Sequence, residues 1–146
     1  MQEIYQLIDR QFVKADIRVE FHEHEHFEVF GLKNEFKQVC LNLLNNAKEV
    51  LIEKNIHKGF IEVKYAKTPT HGRIIISDNG GGISEDLLPD RLFEMNTTTK
   101  DNGTGIGLYI CKTIVEEHMG GTITVKNTDV GAEFTITLPL NNGINS

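Results

Sequence analysis

The sequence predicts an α+β fold, a two-layer α/β sandwich in which about three helices cover one face of a mixed, mainly antiparallel sheet. Two observations carry this prediction. Apolar residues recur at helical spacing in three segments, and segments with the alternating pattern of strands arrive in pairs, which is typical of hairpins. The 146 residues are enough to bury one core, and no internal repeat or linker divides them.

Three helices are predicted in chain order. Residues 1–14 carry apolar side chains at amphipathic spacing, which indicates a short helix. A longer helix over residues 34–54 begins at Asn34, a candidate N-cap, and carries a broad apolar stripe. A third helix runs from about residue 104 to Met119 and is ended by the two glycines that follow it.

Six short segments are predicted as strands, and a long polar loop over residues 78–103 interrupts them. Most of the strands alternate between apolar and polar residues, whereas the fourth is a continuous β-branched run, as in a buried strand. A tail over residues 141–146 is expected to fray. The strands cover residues 16–21, 26–30, 60–65, 73–77, 122–126 and 133–138.

The composition is that of an ordinary soluble globular protein, with 39% hydrophobic and 25% charged residues. Its 15 Lys and Arg against 21 Asp and Glu give a net charge of −6, which argues against nucleic acid or an anionic membrane as a partner. No apolar run reaches the length of a membrane span, and the first residues do not show the pattern of a signal peptide. Two cysteines outside any C-x-x-C pattern argue against a disulfide framework or a zinc site, and a cytoplasmic location fits best.

A polar stripe adjoins the apolar face of the second predicted helix. Gln38, Asn42, Asn46 and Glu49 fall within roughly an 80° sector of that helix. Two asparagines one turn apart, at the edge of a packed face, can present carbonyl oxygens to a hard cation such as Mg²⁺. The alternative is a polar helix boundary with hydrated amides.

Asp78 and the glycines after it follow the β-branched strand directly. A carboxylate at a strand end, with Gly80 and Gly82 beside it, places a hydrogen-bond acceptor next to backbone that a ligand can approach closely. Such an acceptor can bind an amino group, for example the exocyclic amine of adenine. The alternative is an ordinary tight turn, in which Asp, Asn and Gly are common.

Gly103, Gly105 and Gly107 alternate at the start of the third predicted helix. They expose backbone amides where the helix dipole is positive, which favours phosphate. The segment is neither a Walker A loop nor the dinucleotide fingerprint, because no Gly-Lys-[Ser/Thr] follows it and the G-x-G-x-x-G spacing is absent. The alternative is a glycine-rich N-cap without a ligand.

The loop between the two glycine motifs carries two distinctive residues. Phe93 is apolar in a polar stretch, and we expect it to anchor the loop by packing. Lys100 is one of two basic residues between Ser84 and Gly103, so it is the natural point charge for a terminal phosphate.

Taken together and in this order, the four motifs resemble the catalytic, ATP-binding domain of sensor histidine kinases, in the GHKL group of DNA gyrases, chaperone ATPases and mismatch-repair ATPases. The resemblance covers about residues 15–140 and implies the Bergerat-type sandwich fold for them. The matching segments are NEFKQVCLNLLNNAKEVL for the N box, DNGGGI for the G1 box, LFEMNTTTK for the F box, GTGIGLYICKTIVEEHMGG for the G2 box and GAEFTITLPL for the last strand.

The resemblance implies a role for each matching residue. Asn46 is the expected Mg²⁺ ligand and, with Lys100, a catalytic residue, and Asn42 lines the same site. Asp78 is expected to accept the adenine amino group, and Phe93 to anchor a lid over residues 84–103. The further implied nucleotide contacts are Gly80 and Gly82 around the pocket, Ile83 and Leu108 against the base, the backbone amides of Gly103, Thr104, Gly105, Ile106 and Gly107 at the phosphates, and Thr135 at the adenine through water.

Two positions depart from the family pattern. Many relatives carry Lys or Arg where this chain has Glu49, so that phosphate contact is expected from Lys100 instead. The hydrolytic branch of the group carries Glu where this chain has Asn42. No general base for water is therefore expected there, and ATP should persist until an acceptor arrives.

The resemblance implies a protein-histidine kinase of a two-component phosphorelay, in which ATP and Mg²⁺ are bound and the γ-phosphate passes to a histidine. None of the six histidines opens an amphipathic helix, so the acceptor is expected on a dimerisation domain outside this chain, with residues 1–14 as the linker helix from it. The implied partners are that domain and a response regulator, in a homodimeric parent kinase. Neither nucleic acid nor direct membrane contact is expected of this domain.

Three alternatives remain open. A serine kinase of the anti-sigma-factor type carries the same boxes, and an ATP-binding module that never transfers phosphate would keep the same site. The third alternative is a metal-binding hairpin at His22, His24 and His26, which alternate with Glu23 and Glu25.

Overall fold

The computed structural model describes residues 17–23, 33–56, 58–82 and 107–139. The described residues form one five-stranded sheet and two helical segments, the second of which continues into a π-helical turn. In chain order the elements are β1 (Ile17–Glu23), α1 (Lys33–Glu53), β2 (Gly59–Lys67), β3 (His71–Asp78), α2 (Gly107–Thr113), the π-helical turn (Ile114–His118), β4 (Thr122–Asn127) and β5 (Ala132–Pro139).

The sheet has the strand order β1-β2-β3-β5-β4. The pairs β2–β3, β3–β5 and β5–β4 are antiparallel, and β1 runs parallel to β2. The predicted fold class, an α+β fold with a mixed and mainly antiparallel sheet, is therefore confirmed. The last strand, β5, lies inside the sheet, between β3 and β4.

β1 has a partner that the sequence did not predict. It lies at the edge of the described sheet and pairs in parallel with β2, with Ile17 opposite Gly59. The hairpin predicted before α1 stays a prediction. Parallel neighbours cannot be joined by a tight turn, so the chain crosses through α1 before it returns as β2. The predicted hairpin partner, residues 26–30, lies outside the described residues.

One face of the sheet carries the core. Every second residue of β3 and of β5 is buried, and Ile74 and Ile76 are among those that point inward from β3. The apolar stripe of α1 packs on this face with Leu43 and Leu44, and Val115 joins them from the π-helical turn. Burial of each such side chain contributes about 2 kcal/mol.

α1 ends in a Schellman motif. The N–H of Ile56 donates to the C=O of Leu51, and the N–H of Asn55 donates to the C=O of Ile52, both at 3.0 Å. Asn55 has a φ of 53°, a left-handed conformation that asparagine adopts more readily than most residues. Lys54 is therefore the C-cap, and the predicted end of this helix is confirmed to within one residue.

The third predicted helix is only partly α-helical. After α2, the N–H of Met119 donates to the C=O of Ile114 at 3.0 Å, which makes Ile114–His118 a π-helical turn. This wider turn brings Ile114, Val115 and Met119 together into the core. Residues 104–106, which were predicted to begin the helix, lie outside the described residues.

Residues 1–14 and 141–146, predicted as a linker helix and a frayed tail, also lie outside the described residues, so these boundaries stay predictions. Among the residues that the structure describes, no helix is both long and apolar enough to cross a bilayer.

The two glycines that follow the π-helical turn are predicted to tolerate alanine differently. Gly120 has a φ of 69°, and a Cβ there would lie no closer than 4.0 Å to Pro139. Gly120→Ala should therefore cost about 1 kcal/mol through backbone strain alone. A Cβ on Gly121 would lie 2.2 Å from the carbonyl oxygen of Thr137. Gly121→Ala must therefore displace β5 and should cost about 3 kcal/mol.

Urea unfolding followed by circular dichroism measures both costs. Equal unfolding midpoints for Gly120→Ala and Gly121→Ala would contradict this close approach of Gly121 to β5.

Candidate functional site

Asp78 is the last residue of β3, and its side chain lies on the core face of the sheet, in line with Ile74 and Ile76. The residue is 9% exposed. A carboxylate in such a place is stable only when it is hydrogen-bonded. Its Oδ1 accepts a hydrogen bond from the N–H of Gly80 at 2.8 Å. This short ring orients the carboxyl group and bends the chain away from β3.

Asn79 extends the β2–β3 pairing beyond the end of the strand. Its Oδ1 accepts from the N–H of Phe60 at 2.8 Å, and its Nδ2 donates to the C=O of Lys58 at 3.2 Å. Its own N–H donates to the C=O of Phe60 at 3.2 Å. These bonds anchor the glycine loop, residues 80–82, to β2. The sequence indicated only a turn at Asn79, and this anchoring role was not predicted.

The glycine loop needs glycine because the chain passes close to α1. A Cβ on Gly80 would lie 2.9 Å from Cγ1 of Val50. Gly81 and Gly82 have φ values of 87° and 93°, in the left-handed region that other residues rarely adopt. Packing and backbone conformation thus explain the predicted Gly80 and Gly82, and their contact with a nucleotide stays a prediction.

The turn between β4 and β5 holds the glycine loop from the other side. The N–H of Gly81 donates to the C=O of Val130 at 2.9 Å. A Cβ on Gly131 would lie 2.0 Å from the carbonyl oxygen of Asp78, so this turn touches the end of β3. The Oγ1 of Thr128 accepts from the N–H of Gly131 at 3.0 Å and shapes the turn. Neither Val130 nor Gly131 was predicted at this site. A glycine in a turn often marks a place where another part of the backbone comes close, and this signal was present at Gly131.

The predicted polar stripe follows α1 towards the glycine loop. Asn42 and Asn46 are half-buried, as expected at the edge of the core, whereas Gln38 is exposed. Val50 follows Asn46 by one turn, about 6 Å along the helix axis. Gly80 packs against this same Val50. The stripe and the Asp78 end of β3 are therefore neighbouring parts of one surface.

α2 packs against α1 beside the polar stripe. Burial raises the pKa of the Cys111 thiol of α2, and the side chain of Asn42 lowers it by less, so Asn42 lies near this thiol. The Sγ of Cys111 in turn donates to the C=O of Val39 at 3.8 Å. Leu108 is half-buried and packs against the core. Gly107, the first residue of α2, is the part of the predicted phosphate segment that the structure describes.

Some predicted residues do not join this cluster. Thr135 lies on β5 between the buried Phe134 and Ile136, so its side chain is on the face of the sheet away from the core, whereas Asp78 is on the core face. The sheet separates the two residues, which corrects the expectation that Thr135 supports the adenine beside Asp78.

Seven further predicted site residues lie outside the described residues, so their roles stay predictions. They are Ile83, Phe93, Lys100, Gly103, Thr104, Gly105 and Ile106.

The amide side chains of the polar stripe are the candidate donors for a metal ion. Within the described part of the chain, no group of three or more His, Cys, Asp or Glu residues could hold a metal. The amide oxygens of Asn42 and Asn46 are hard donors that fit Mg²⁺, provided that phosphate and water supply its other ligands. Residues 24–26 of the alternating His and Glu run lie outside the described residues, so the metal-binding alternative stays a prediction.

Both cysteines are buried and free. Burial raises the pKa of the Cys40 thiol from 9.0 to about 12. Burial likewise raises the pKa of the Cys111 thiol to about 12, against a smaller lowering by the side chain of Asn42. The two thiols are therefore neutral near pH 7 and behave as small apolar groups in the contact between α1 and α2.

The sequence is similar to known proteins over nearly its whole length. Residues 31–142 match the family described as histidine kinase-, DNA gyrase B-, and HSP90-like ATPase. Sporulation kinase C of Bacillus subtilis is 30% identical over 142 residues, which are 96% of this chain and 32% of that protein. The sensor histidine kinase ZraS of Escherichia coli K12 is 34% identical over 138 residues, which are 93% of this chain and 28% of that protein. The chain thus spans about a third or less of the length of these curated relatives.

Solved structures agree with the sequence matches. The catalytic domain of histidine kinase ThkA, in a nucleotide-free form, matches with a TM-score of 0.82 and 31% identity over 94% of this chain and 90% of that chain. ThkA in complex with the response regulator protein TrrA matches with a TM-score of 0.78 and 27% identity over 94% of this chain and 38% of that chain.

The fold and the sequence together define an ATPase-type domain, and the chain belongs to the histidine kinase-, DNA gyrase B-, and HSP90-like ATPase family. Its curated relatives include Sporulation kinase C and the sensor histidine kinase ZraS, and the structures that it resembles include the catalytic domain of histidine kinase ThkA. The resemblance seen in the sequence is therefore confirmed.

The two buried thiols are predicted to lower the stability of the domain at alkaline pH. Each thiol keeps its proton up to a pH of about 12 in the folded chain but ionises near 9.0 in the unfolded chain. Between these values the unfolded state binds fewer protons than the folded state. The free energy of unfolding should therefore fall as the pH rises above 9.0, by up to about 1.4 kcal/mol per pH unit for each thiol.

Urea unfolding at a series of pH values measures this slope. The double variant Cys40→Ala/Cys111→Ala should show a shallower slope than the unaltered chain, because other groups that titrate at alkaline pH are common to both. The same slope in both proteins would rule out the raised pKa values.

Proposed function

We propose that this domain binds ATP with Mg²⁺ and transfers the γ-phosphate to a histidine on a separate dimerisation and phosphoacceptor domain, as a two-component kinase does. The observation that carries the proposal is the carboxylate of Asp78, which is buried at the end of β3 and oriented by the Gly80 amide at 2.8 Å. A buried and oriented acceptor beside a glycine loop is suited to bind the amino group of a planar base. Membership of the ATPase family supports the same function.

A carboxylate at this position would select adenine over guanine. Its two oxygens accept several hydrogen bonds, so an exocyclic amine can be bound in addition to the Gly80 amide. Adenine presents an amino group where guanine presents a carbonyl oxygen, and a carboxylate repels that oxygen. Because Asp78 is buried, two acceptors facing each other there would cost free energy that water cannot offset. Ile83 and Leu108 are proposed to enclose the base.

The phosphates are proposed to lie along the polar stripe of α1, towards the start of α2. Asn46, with Asn42 beside it, would hold Mg²⁺ together with water and phosphate oxygens, and Mg²⁺ would neutralise part of the phosphate charge. Lys100 and the backbone amides of residues 103–107 are proposed to bind further phosphate oxygens. Phe93 is proposed to anchor the lid segment by packing.

The proposed transfer requires positioning and charge stabilisation from this chain rather than a nucleophile. A nitrogen of the acceptor imidazole forms a bond to the γ-phosphorus, while the bond from that phosphorus to the bridging oxygen of the β-phosphate breaks. ADP leaves with the electron pair, and the imidazole releases its proton to solvent. Water is proposed to compete poorly, because Asn42 is an amide that cannot take a proton.

The proposed protein partner follows from a similar structure. ThkA has been solved in complex with the response regulator TrrA, and we propose that the parent kinase likewise passes its phosphate to a response regulator. A homodimeric parent and a cytoplasmic domain without direct membrane or nucleic-acid contact stay predictions. No observation on the described residues favours the serine kinase or the non-transferring module, and the following experiment distinguishes both.

Asn46→Asp and Asp78→Asn are each predicted to reduce phosphoryl transfer at least about a hundredfold. Asp78→Asn places an amide N–H donor opposite the amino group of adenine, which is itself a donor. Asn46→Asp adds a negative charge beside the phosphates. The assay incubates the 146-residue chain with γ-labelled ATP, Mg²⁺ and the helical domain of the parent kinase. Asn45→Asp is the matched control, because it adds the same charge at the neighbouring position of α1 and should leave transfer unchanged.

The stability of the label identifies the acceptor. A label on the helical domain that is acid-labile and base-stable is expected, since that is the stability of phosphohistidine. An acid-stable label would favour the serine kinase, and nucleotide binding without any label would favour the non-transferring module. Normal transfer by both site variants would contradict the proposed site.

A further inference from the structure

Lys54, the C-cap of α1, is bonded to the glycine loop. Its backbone N–H donates to the C=O of Val50 at 3.0 Å, so the residue continues the line of Asn46 and Val50 along the helix. Its Nζ donates to the C=O of Gly80 at 2.9 Å and to the C=O of Gly82 at 3.2 Å. One ammonium group therefore holds two carbonyl groups of the loop.

Gly80 links Lys54 to Asp78. The N–H of Gly80 donates to the Oδ1 of Asp78, and its C=O accepts from the Nζ of Lys54. Gly80 is thus held from both sides, and the direction of the carboxylate depends on it. Hydrogen bonds to charged groups are stronger than those between neutral groups. Glycine also loses more backbone freedom on ordering than any other residue, so this loop gains most from such a bond.

We propose that Lys54 is a positioning residue for the base end of the site, which holds the glycine loop so that Asp78 faces the base. This inference rests on the proposed function, in which Asp78 binds adenine. Other bonds hold different parts of the loop, since Asn79 is bonded to β2 and Gly81 to the turn before β5. Lys54 also holds Gly82, two residues before the lid that is predicted over residues 84–103.

A lysine beside a nucleotide site could instead contact phosphate directly. The geometry favours the positioning role, because the ammonium group of Lys54 donates to the carbonyl oxygens of Gly80 and Gly82, at the base end of the site. The two roles differ in their dependence on phosphate number. Loss of a positioning residue weakens the binding of AMP, ADP and ATP by the same factor. Loss of a phosphate contact weakens binding by a factor that grows with the number of phosphates.

The test compares the dissociation constants of AMP, ADP, ATP and GDP, in the presence of Mg²⁺, by isothermal titration calorimetry. Lys54→Met should weaken the binding of AMP, ADP and ATP equally, by about fivefold, and should reduce the preference for ADP over GDP. Lys54→Arg, which keeps a charged donor, should recover most of this loss. Lys64→Met is the matched control, because it removes an exposed lysine of β2 that pairs with Glu62 at 3.4 Å, and it should change none of the constants.

Unchanged constants in Lys54→Met, or a loss that grows from AMP to ATP, would overturn the positioning role. If circular dichroism shows that Lys54→Met is not folded, Lys54→Gln replaces it, with a smaller loss that is again equal for the three adenine nucleotides. Failure of the unaltered chain to bind any adenine nucleotide, or unchanged binding in Asp78→Asn, would overturn the proposed function and the role of Lys54 with it.

Discussion

A carboxylate buried at the end of a sheet strand is the constraint on which the rest of the site depends. Asp78 occupies the core face of β3, where a charged group persists only with hydrogen-bond partners and close packing. The loop after it must turn at once to return the Gly80 amide, and Gly131 must lack a side chain because the Asp78 backbone occupies that space. The contacts that stabilise the carboxylate therefore also orient it before any ligand arrives.

α1 connects the core to the site because its two adjoining stripes differ in chemistry. Its apolar side chains, such as Leu44, pack against the sheet, and its polar edge with Asn42 and Asn46 runs towards the glycine loop. The Schellman motif at Asn55 decides where the helix ends and hence where the ammonium group of Lys54 lies. The site cannot shift relative to the core without loss of the packing that stabilises the fold.

Local patterns were enough to predict most elements and the residues with distinctive chemistry. The helical spacing of α1, the β-branched run of β3 and Asp78 at its end are local features, and the structure contains all of them. What escaped prediction depends on contacts between distant segments, namely the parallel pairing of β1 with β2 and the bonds of Lys54 and Val130 to the glycine loop. The wrong expectation for Thr135, in contrast, could have been avoided from the sequence. Side chains alternate along a strand, so the neighbour of the apolar Phe134 lies on the face away from the core.

β5 is the last element that the structure describes along the chain, yet it lies in the middle of the sheet, between β3 and β4. The turn before it supplies the Val130 carbonyl and the close approach of Gly131. The arrangement of the glycine loop is therefore complete only when the β4–β5 pair has joined β3, which is a non-local pairing. A nucleotide bound beside Asp78, as proposed, would stabilise that pairing together with the loop by mass action.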